Sequence, residues 1–281
     1  MLTDNVSSDP ENQQETLKTP KFFYYTGFCV GELTCSVIRA KDKRGRGFYF
    51  MPDLTISNAD LNLLKEINRI IASNLGNIGP IKGGYNLKFR GKKKVEKVFH
   101  FLQIYSVISG DLAKRKLELL NNVLPAIGKN SKVQSRLRVI ERCREDLRDL
   151  KLNGFVQETQ NEDYFSNDQI GFFLAGIIDA EGSCGFKISG LRKQPFFAVA
   201  MKDHKIIELI RDFLDCGRVR FRPRDGLYHW EINERSEVLK VIEIFTTKYP
   251  SKLTKMKDRM RNVKRILNDY MPRSRDFGKM I

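Results

Sequence analysis

Two stretches of this chain are copies of one another, and that duplication restricts the fold more than any other feature. Residues 24–36 (YYTGFCVGELTCS) overlay residues 173–185 (FLAGIIDAEGSCG), matching Gly27 with Gly176, Glu32 with Glu181 and Cys35 with Cys184. Residues 60–71 overlay 203–214, where Leu63, Leu64, Ile67, Ile70 and Ile71 fall on Ile206, Ile207, Ile210, Phe213 and Leu214. A third block pairs Val95, Val98, Phe99 and Leu102 with Val238, Val241, Ile242 and Phe245. Three matched blocks in one order mean two copies of a single unit joined by loops of different length. The second and third blocks carry apolar residues at the i, i+3, i+4, i+7 spacing of an amphipathic helix.

Strand pairs lie between these helices. In RVRFRPR, Arg218, Arg220, Arg222 and Arg224 fall on one face and Val219 and Phe221 on the other, the two-residue period of a half-buried strand. The neighbouring YHWEIN turns Tyr228, Trp230 and Ile232 inward. Its first-copy counterpart YNLKFR turns Tyr85, Leu87 and Phe89 inward and Asn86, Lys88 and Arg90 outward. Each copy reads helix, strand, strand, helix, strand, strand, helix. The expected fold is therefore α+β, two pseudo-symmetric αββαββα repeats whose antiparallel sheets form a saddle around a central two-helix interface. The expected boundaries are a flexible tail (1–20), a first repeat (21–130), a charged, partly helical connector (131–165), a second repeat (166–270) and a C-terminal tail (271–281).

Charge narrows the partner. The 281 residues hold 50 Lys and Arg against 34 Asp and Glu, a net charge of +16. The first twenty residues are acidic, so the folded body is more basic still. A body so charged repels itself unless a polyanion is its working partner. No apolar run is long enough to span a membrane, and residues 1–20 lack the apolar core of a secretion signal. The five cysteines form no CxxC pair, which fits reduced thiols in an intracellular protein.

Basic residues recur at matching places: Arg39, Lys41, Lys43, Arg44 and Arg46 follow the first motif, and Lys187, Arg192 and Lys193 follow the second. One reading is a solvated face neutralised by local acids. The other is duplex DNA, because two-stranded ribbons fit the major groove of B-form DNA, where arginine reads guanine. Single-stranded RNA bases usually need exposed aromatic platforms, and here the strand aromatics sit on the inward phase. Arg39, Lys41, Arg44, Arg46, Lys88, Arg90, Lys187, Arg192, Arg218, Arg220, Arg222 and Arg224 are thus the candidate DNA contacts.

In both copies of the first block an apolar, small-residue run ends in an acid. Gly27, Gly31, Gly176 and Ala180 would let two helices approach closely. If they pack together, Glu32 and Glu181 arrive side by side at helix C-termini, where two carboxylates repel each other and the helix dipoles. A divalent cation relieves that repulsion, and oxygen ligands suit Mg²⁺ or Mn²⁺.

The stretch LAGIIDAEG (174–182) resembles the LAGLIDADG signature, and YTGFCVGEL (25–33) resembles a degenerate first copy. The likeness to the two-repeat, monomeric LAGLIDADG homing endonucleases covers roughly residues 21–130 and 166–270. It implies that the motif helices form the central interface and that the penultimate acid of each motif, Glu32 and Glu181, binds catalytic Mg²⁺ or Mn²⁺. The earlier acid position is Asp179 in one copy and Val30 in the other, so Asp179 is not expected to be a ligand. A lysine after the third helix is also implied near each site: Lys255 in YPSKLTKMKD and, by overlay of LAK on LTK, Lys114. The Gln-Lys-Asp common before the second helix is replaced by Met201-Lys202-Asp203 and Asn58-Ala59-Asp60.

The resemblance implies a site-specific endonuclease that hydrolyses both strands of a long, non-palindromic duplex across its minor groove. The alternative is a maturase that binds group I intron RNA, and a third is a DNA-binding regulator. Retention of both glutamates favours cleavage. The place of action is then intracellular, at DNA, with organelle or microbial cytoplasm left open.

Overall fold

The computed structural model describes residues 19–41, 47–128, 133–154, 164–189 and 192–269, excepting the side chains of Ser189 and Arg192. The two expected tails fall outside these residues, save Thr19 and Pro20. The first repeat runs α1 (Phe23–Glu32), β1 (Leu33–Lys41), β2 (Phe48–Asn58), α2 (Leu61–Ala72), β3 (Asn77–Ile81), β4 (Gly84–Arg90), α3 (Lys92–Ile104) and α4 (Asp111–Val123). A connector helix, α5 (Gln134–Asn153), leads to the second repeat. That repeat runs α6 (Asn167–Glu181), β5 (Gly182–Ser189), β6 (Arg192–Met201), α7 (His204–Leu214), β7 (Arg218–Arg222), β8 (Leu227–Ile232), α8 (Arg235–Glu243) and α9 (Thr254–Asp269). Each copy is the expected αββαββα unit followed by one more helix, α4 or α9.

Each repeat builds one four-stranded antiparallel sheet, ordered β1-β2-β4-β3 and β5-β6-β8-β7. The strand period decides what each face is for. Leu54 and Ile56 pair with Phe89 and Leu87, and all four are buried under the helices. The opposite phase places Asp53, Thr55 and Ser57 beside Arg90, Lys88 and Asn86 on an open face. In the second sheet Phe197 and Val199 pair with Ile232 and Trp230 in the core, where the Trp230 indole N–H donates to the Cys216 carbonyl at 2.9 Å. Burying such side chains contributes roughly 1.5–3 kcal/mol each and holds the sheets to their register.

The repeats meet along α1 and α6. A methyl group added to Gly27 would stand 1.9 Å from the Phe173 carbonyl oxygen, and one added to Gly176 would stand 2.1 Å from that of Tyr24. The two backbones therefore touch where the sequence places small residues, and no larger side chain fits between them. Ser166 starts α6 with a capping box, its hydroxyl accepting from Gln169 N while the Gln169 side chain accepts from Ser166 N.

Two further contacts tie the copies together reciprocally. Asp60, at the entrance to α2, accepts from the backbone N–H and hydroxyl of Thr254 in α9. Asp203, at the entrance to α7, accepts from the backbone N–H of Leu112 in α4 at 2.9 Å. Each repeat thus caps the last helix of the other.

Candidate active site and nucleic-acid interface

The apposed helices α1 and α6 end at Glu32 and Glu181, and both chains turn directly into β1 and β5. A methyl group on Gly31 would lie 3.1 Å from Cγ and 3.6 Å from Oε1 of Glu181, so this carboxylate rests on the helix turn that carries Glu32. Burial raises the Glu32 carboxyl, against a hydrogen bond from Asn58 Nδ2 at 3.3 Å. Burial first, and then the charge of Glu32, push Glu181 up to about 7, with Lys116 opposing. Two carboxylates that both lose water, one of them also raised by the other's charge, are a pair that a cation stabilises.

The donor set fits a hard divalent cation: two carboxylates, no thiolate or imidazole beside them. Among the described residues no cluster of three or more His, Cys, Asp or Glu exists that would hold a metal by itself. Further oxygen ligands would have to come from water or a bound polyanion.

Asp179, two residues before Glu181, is spent on structure. It is buried and accepts hydrogen bonds from the Tyr24 hydroxyl, the Ser251 hydroxyl and the backbone N–H groups of Lys252 and Leu253. These bonds fix the turn before α9 and thereby deliver Lys255. Lys252 continues the lock by pairing with Glu66 of the first repeat at 2.6 Å.

Each glutamate opens into its own cavity. The Glu32 cavity, of about 1010 Å³, is lined by Asn58 and Asp60 from the first repeat and by Lys255, Arg259 and Asn262 from α9. The Glu181 cavity, of about 220 Å³, is lined by Lys116, Lys202 and Asp203 and by Leu150 and Lys151 of the connector helix. The expected lysine Lys255 thus faces the Glu32 cavity. The expected Lys114 lines neither; Lys116, one helical half-turn on, faces Glu181 instead. The shared caps account for the absence of Lys114, because they equate Thr254 with Leu112 and hence Lys255 with Ala113, which does line the Glu181 cavity.

The open sheet faces carry part of the expected basic set. Lys88 and Arg90 share one face in the first repeat, and Lys187, Arg218, Arg220 and Arg222 share one in the second. Arg224 lies beyond the end of β7 but still lines the groove of about 720 Å³ over this sheet. Arg39 and Lys41 are corrected: they share the strand phase of buried Val37 and pair with Phe50 and Phe48 on the helix side. The Arg39 guanidinium sits 3.8 Å over the Phe48 ring. Arg44 and Arg46, with Lys43, lie outside the described residues, as does the side chain of Arg192.

Local acids neutralise some of these cations. Glu231, buried in the open face of the second sheet, pairs with Lys187 and, at 2.9 Å, with Arg220. Asp53 does the same in the first sheet, pairing with Arg90 at 2.7 Å. The cations thus face an open groove, and buried acids hold some of them in place. Glu231 and Asp53 could not be found from the sequence, since each sits singly in an apolar strand.

Paired four-stranded sheets flanking a two-helix seam give this chain the fold of solved LAGLIDADG homing endonucleases. Residues 174–272, most of the second repeat, match the sequence model of the LAGLIDADG endonuclease family. The likeness of fold covers 89% of the chain in two DNA-bound structures. I-SmaMI bound to uncleaved target DNA with calcium ions is 21% identical, with a TM-score of 0.68 over 89% of this chain and 90% of that one. I-GzeII in complex with its DNA target is 19% identical, with a TM-score of 0.69 over 89% and 90%. Comparison with curated protein sequences finds no match. No helix among the described residues is long and apolar enough to cross a membrane.

Proposed function

We propose that this chain is a site-specific endonuclease that cuts both strands of a long, non-palindromic DNA duplex as a monomer, using Mg²⁺ or Mn²⁺ held by Glu32 and Glu181. The observation that carries this reading is the meeting of the two glutamates at the seam between the repeats, each opening into a cavity that holds a lysine. The family match of the second repeat and the DNA-bound relatives of the same fold support it.

A divalent cation at these carboxylates would supply Lewis-acid polarisation of the phosphodiester and a more acidic bound water. The chain's own residues do the rest. Asn58 holds one oxygen of Glu32 and so fixes that carboxylate at the wall of the cavity. Lys255 and Lys116 bring positive charge toward the phosphate, where negative charge grows in the transition state. The rows Lys88–Arg90 and Arg218–Arg222 grip backbone and bases on either side, with the repeats reading different half-sites.

The test is selection of cleaved duplexes from a randomised library in Mg²⁺, repeated with Glu32→Gln and Glu181→Gln. Loss of double-strand cleavage with binding retained supports the endonuclease. Binding of a group I intron RNA with no duplex cut in any pool would make the chain a maturase instead.

A further inference from the structure

The two cavities differ because their walls differ. The Glu32 cavity is bounded by α9, whose Arg259 and Asn262 line it one and two turns beyond Lys255. Counting from the shared caps, the matching positions on α4 are Leu117 and Leu120. Leu120 is fully buried, because the connector helix α5 lies over α4 and seals it with Ile140, Cys143 and Leu147. No described element lies over α9 in that way, and its polar face stays open. Arg259 is exposed and has no carboxylate partner among the described residues, while its neighbour Arg261 is paired with Asp258 at 2.8 Å.

The Glu181 side is closed by the same connector. Leu150 and Lys151 wall its cavity, and the Lys202 ammonium is committed to the carbonyls of Lys151 and Leu152 at 2.7 and 2.6 Å. Of the cations there, Lys116 is half-buried, and burial lowers its pKa. One site thus has an open wall that carries Lys255, Arg259 and the Arg261-paired Asp258, and the other a narrow, partly sealed one.

We infer that Arg259, with Asn262 beside it, is a phosphate-binding position that serves only the strand cut at Glu32, so that this strand is cut before the one at Glu181. An unpaired guanidinium on a groove wall beside a nucleolytic carboxylate is suited to a phosphate oxygen, which it can grip with two parallel N–H donors. The inference rests on the endonuclease reading, but its binding arm does not need cleavage.

That arm measures the affinity of the full chain for a thirty-base-pair random-sequence duplex against salt concentration, in Ca²⁺. Loss of one phosphate contact lowers the slope of log K against log salt by about 0.9. Arg259→Gln is expected to show that drop, and Arg261→Gln, which is off the cavity wall, is not. An unchanged slope in Arg259→Gln, or the same drop in both, overturns the assignment. The cleavage arm uses a selected target with each strand end-labelled, the Glu32 strand being the one spared by Glu32→Gln. Accumulation of duplex nicked on that strand is expected, with its cut slowed about tenfold in Arg259→Gln, as for one lost charge-assisted hydrogen bond. Equal rates on both strands in the unmodified protein overturn the strand order, and absence of any cut overturns the endonuclease reading while leaving the salt slopes to judge Arg259.

Discussion

Asp60 accepts from the Thr254 hydroxyl at 2.8 Å and from its backbone N–H at 3.2 Å, joining the second helix of one repeat to the last helix of the other. The other oxygen of the same carboxylate accepts from Asn62 N and Leu63 N, each at 3.1 Å, so one side chain starts two helices. These donors hold the Asp60 carboxyl below its usual range, although partial burial works against them. Loss of an N-cap costs about 0.5–2 kcal/mol, and here two would go together. Asp60→Ala is therefore expected to destabilise the chain by about 2 kcal/mol in urea unfolding, and Asp60→Asn by less. A change within about 0.5 kcal/mol for the alanine variant would show that the double cap is not formed.

The seam between α1 and α6 makes a sharper demand. A Cβ at Gly27 would have to occupy space held by the Phe173 backbone, which cannot rotate away as a side chain would. Gly27→Ala should cost at least the upper end of the roughly 1–3 kcal/mol found for overpacked cores. It should also spread Glu32 from Glu181, so metal-dependent cleavage falls even where the protein stays folded. Gly79→Ala is the control, because nothing lies within 4 Å of a Cβ there. Equal unfolding midpoints for the two variants would contradict direct backbone contact at the seam.

Glu231 makes a prediction with the opposite sign for binding. It holds Lys187 and Arg220 on the groove face and lies close to His229, whose Nδ1 is 3.7 Å away. Removing the acid leaves one more net positive charge facing the duplex and frees two long side chains. Glu231→Gln is expected to tighten binding to random-sequence DNA while narrowing the preference for the selected target, because rigid placement is what discriminates between bases. Competition binding at fixed salt measures both. Weaker random-sequence binding would mean that Glu231 acts through folding rather than through the two cations.

How much of this could be read from the residues alone follows from how local each signal is. Glu32 and Glu181 were legible because each ends an apolar helix rich in small residues, and because the pattern occurs twice. The groove phase of β4 was legible because Leu87 and Phe89 occupy one phase and Lys88 and Arg90 the other. In β1 the same logic fails: Val37 and Ile38 put apolar residues on both phases, and Arg39 and Lys41 were assigned to the groove although register places them on the helix side. Lys114 was matched to Lys255 because LAK and LTK align as text, while the caps at Leu112 and Thr254 align one residue differently and match Lys255 to Ala113. The roles of Asp60, Asp203, Asp179 and Glu231 rest on partners from 11 to 194 residues away, which no local pattern encodes.

Asp203 supplies the pH dependence. Burial pushes its carboxyl up to about 6, with the charge of Asp111 adding to the effect and backbone donors opposing it. In the unfolded chain the same group titrates near ~3.9. The folded state therefore holds this proton more tightly, and the resulting stabilisation is complete below about pH 4 and lost as pH rises through about 6. A shift of about two pH units corresponds to about 3 kcal/mol. Asp203→Asn keeps an oxygen to accept from Leu112 N but cannot ionise, so it should not share this loss. Urea unfolding of both proteins at pH 4, 5, 6 and 7 is expected to show the unmodified chain losing ground to Asp203→Asn by about 2 kcal/mol across the series, most of it between pH 4 and 6. A difference that stays constant with pH would mean that the carboxylate remains charged throughout, fully satisfied by the donors of α4 and α7.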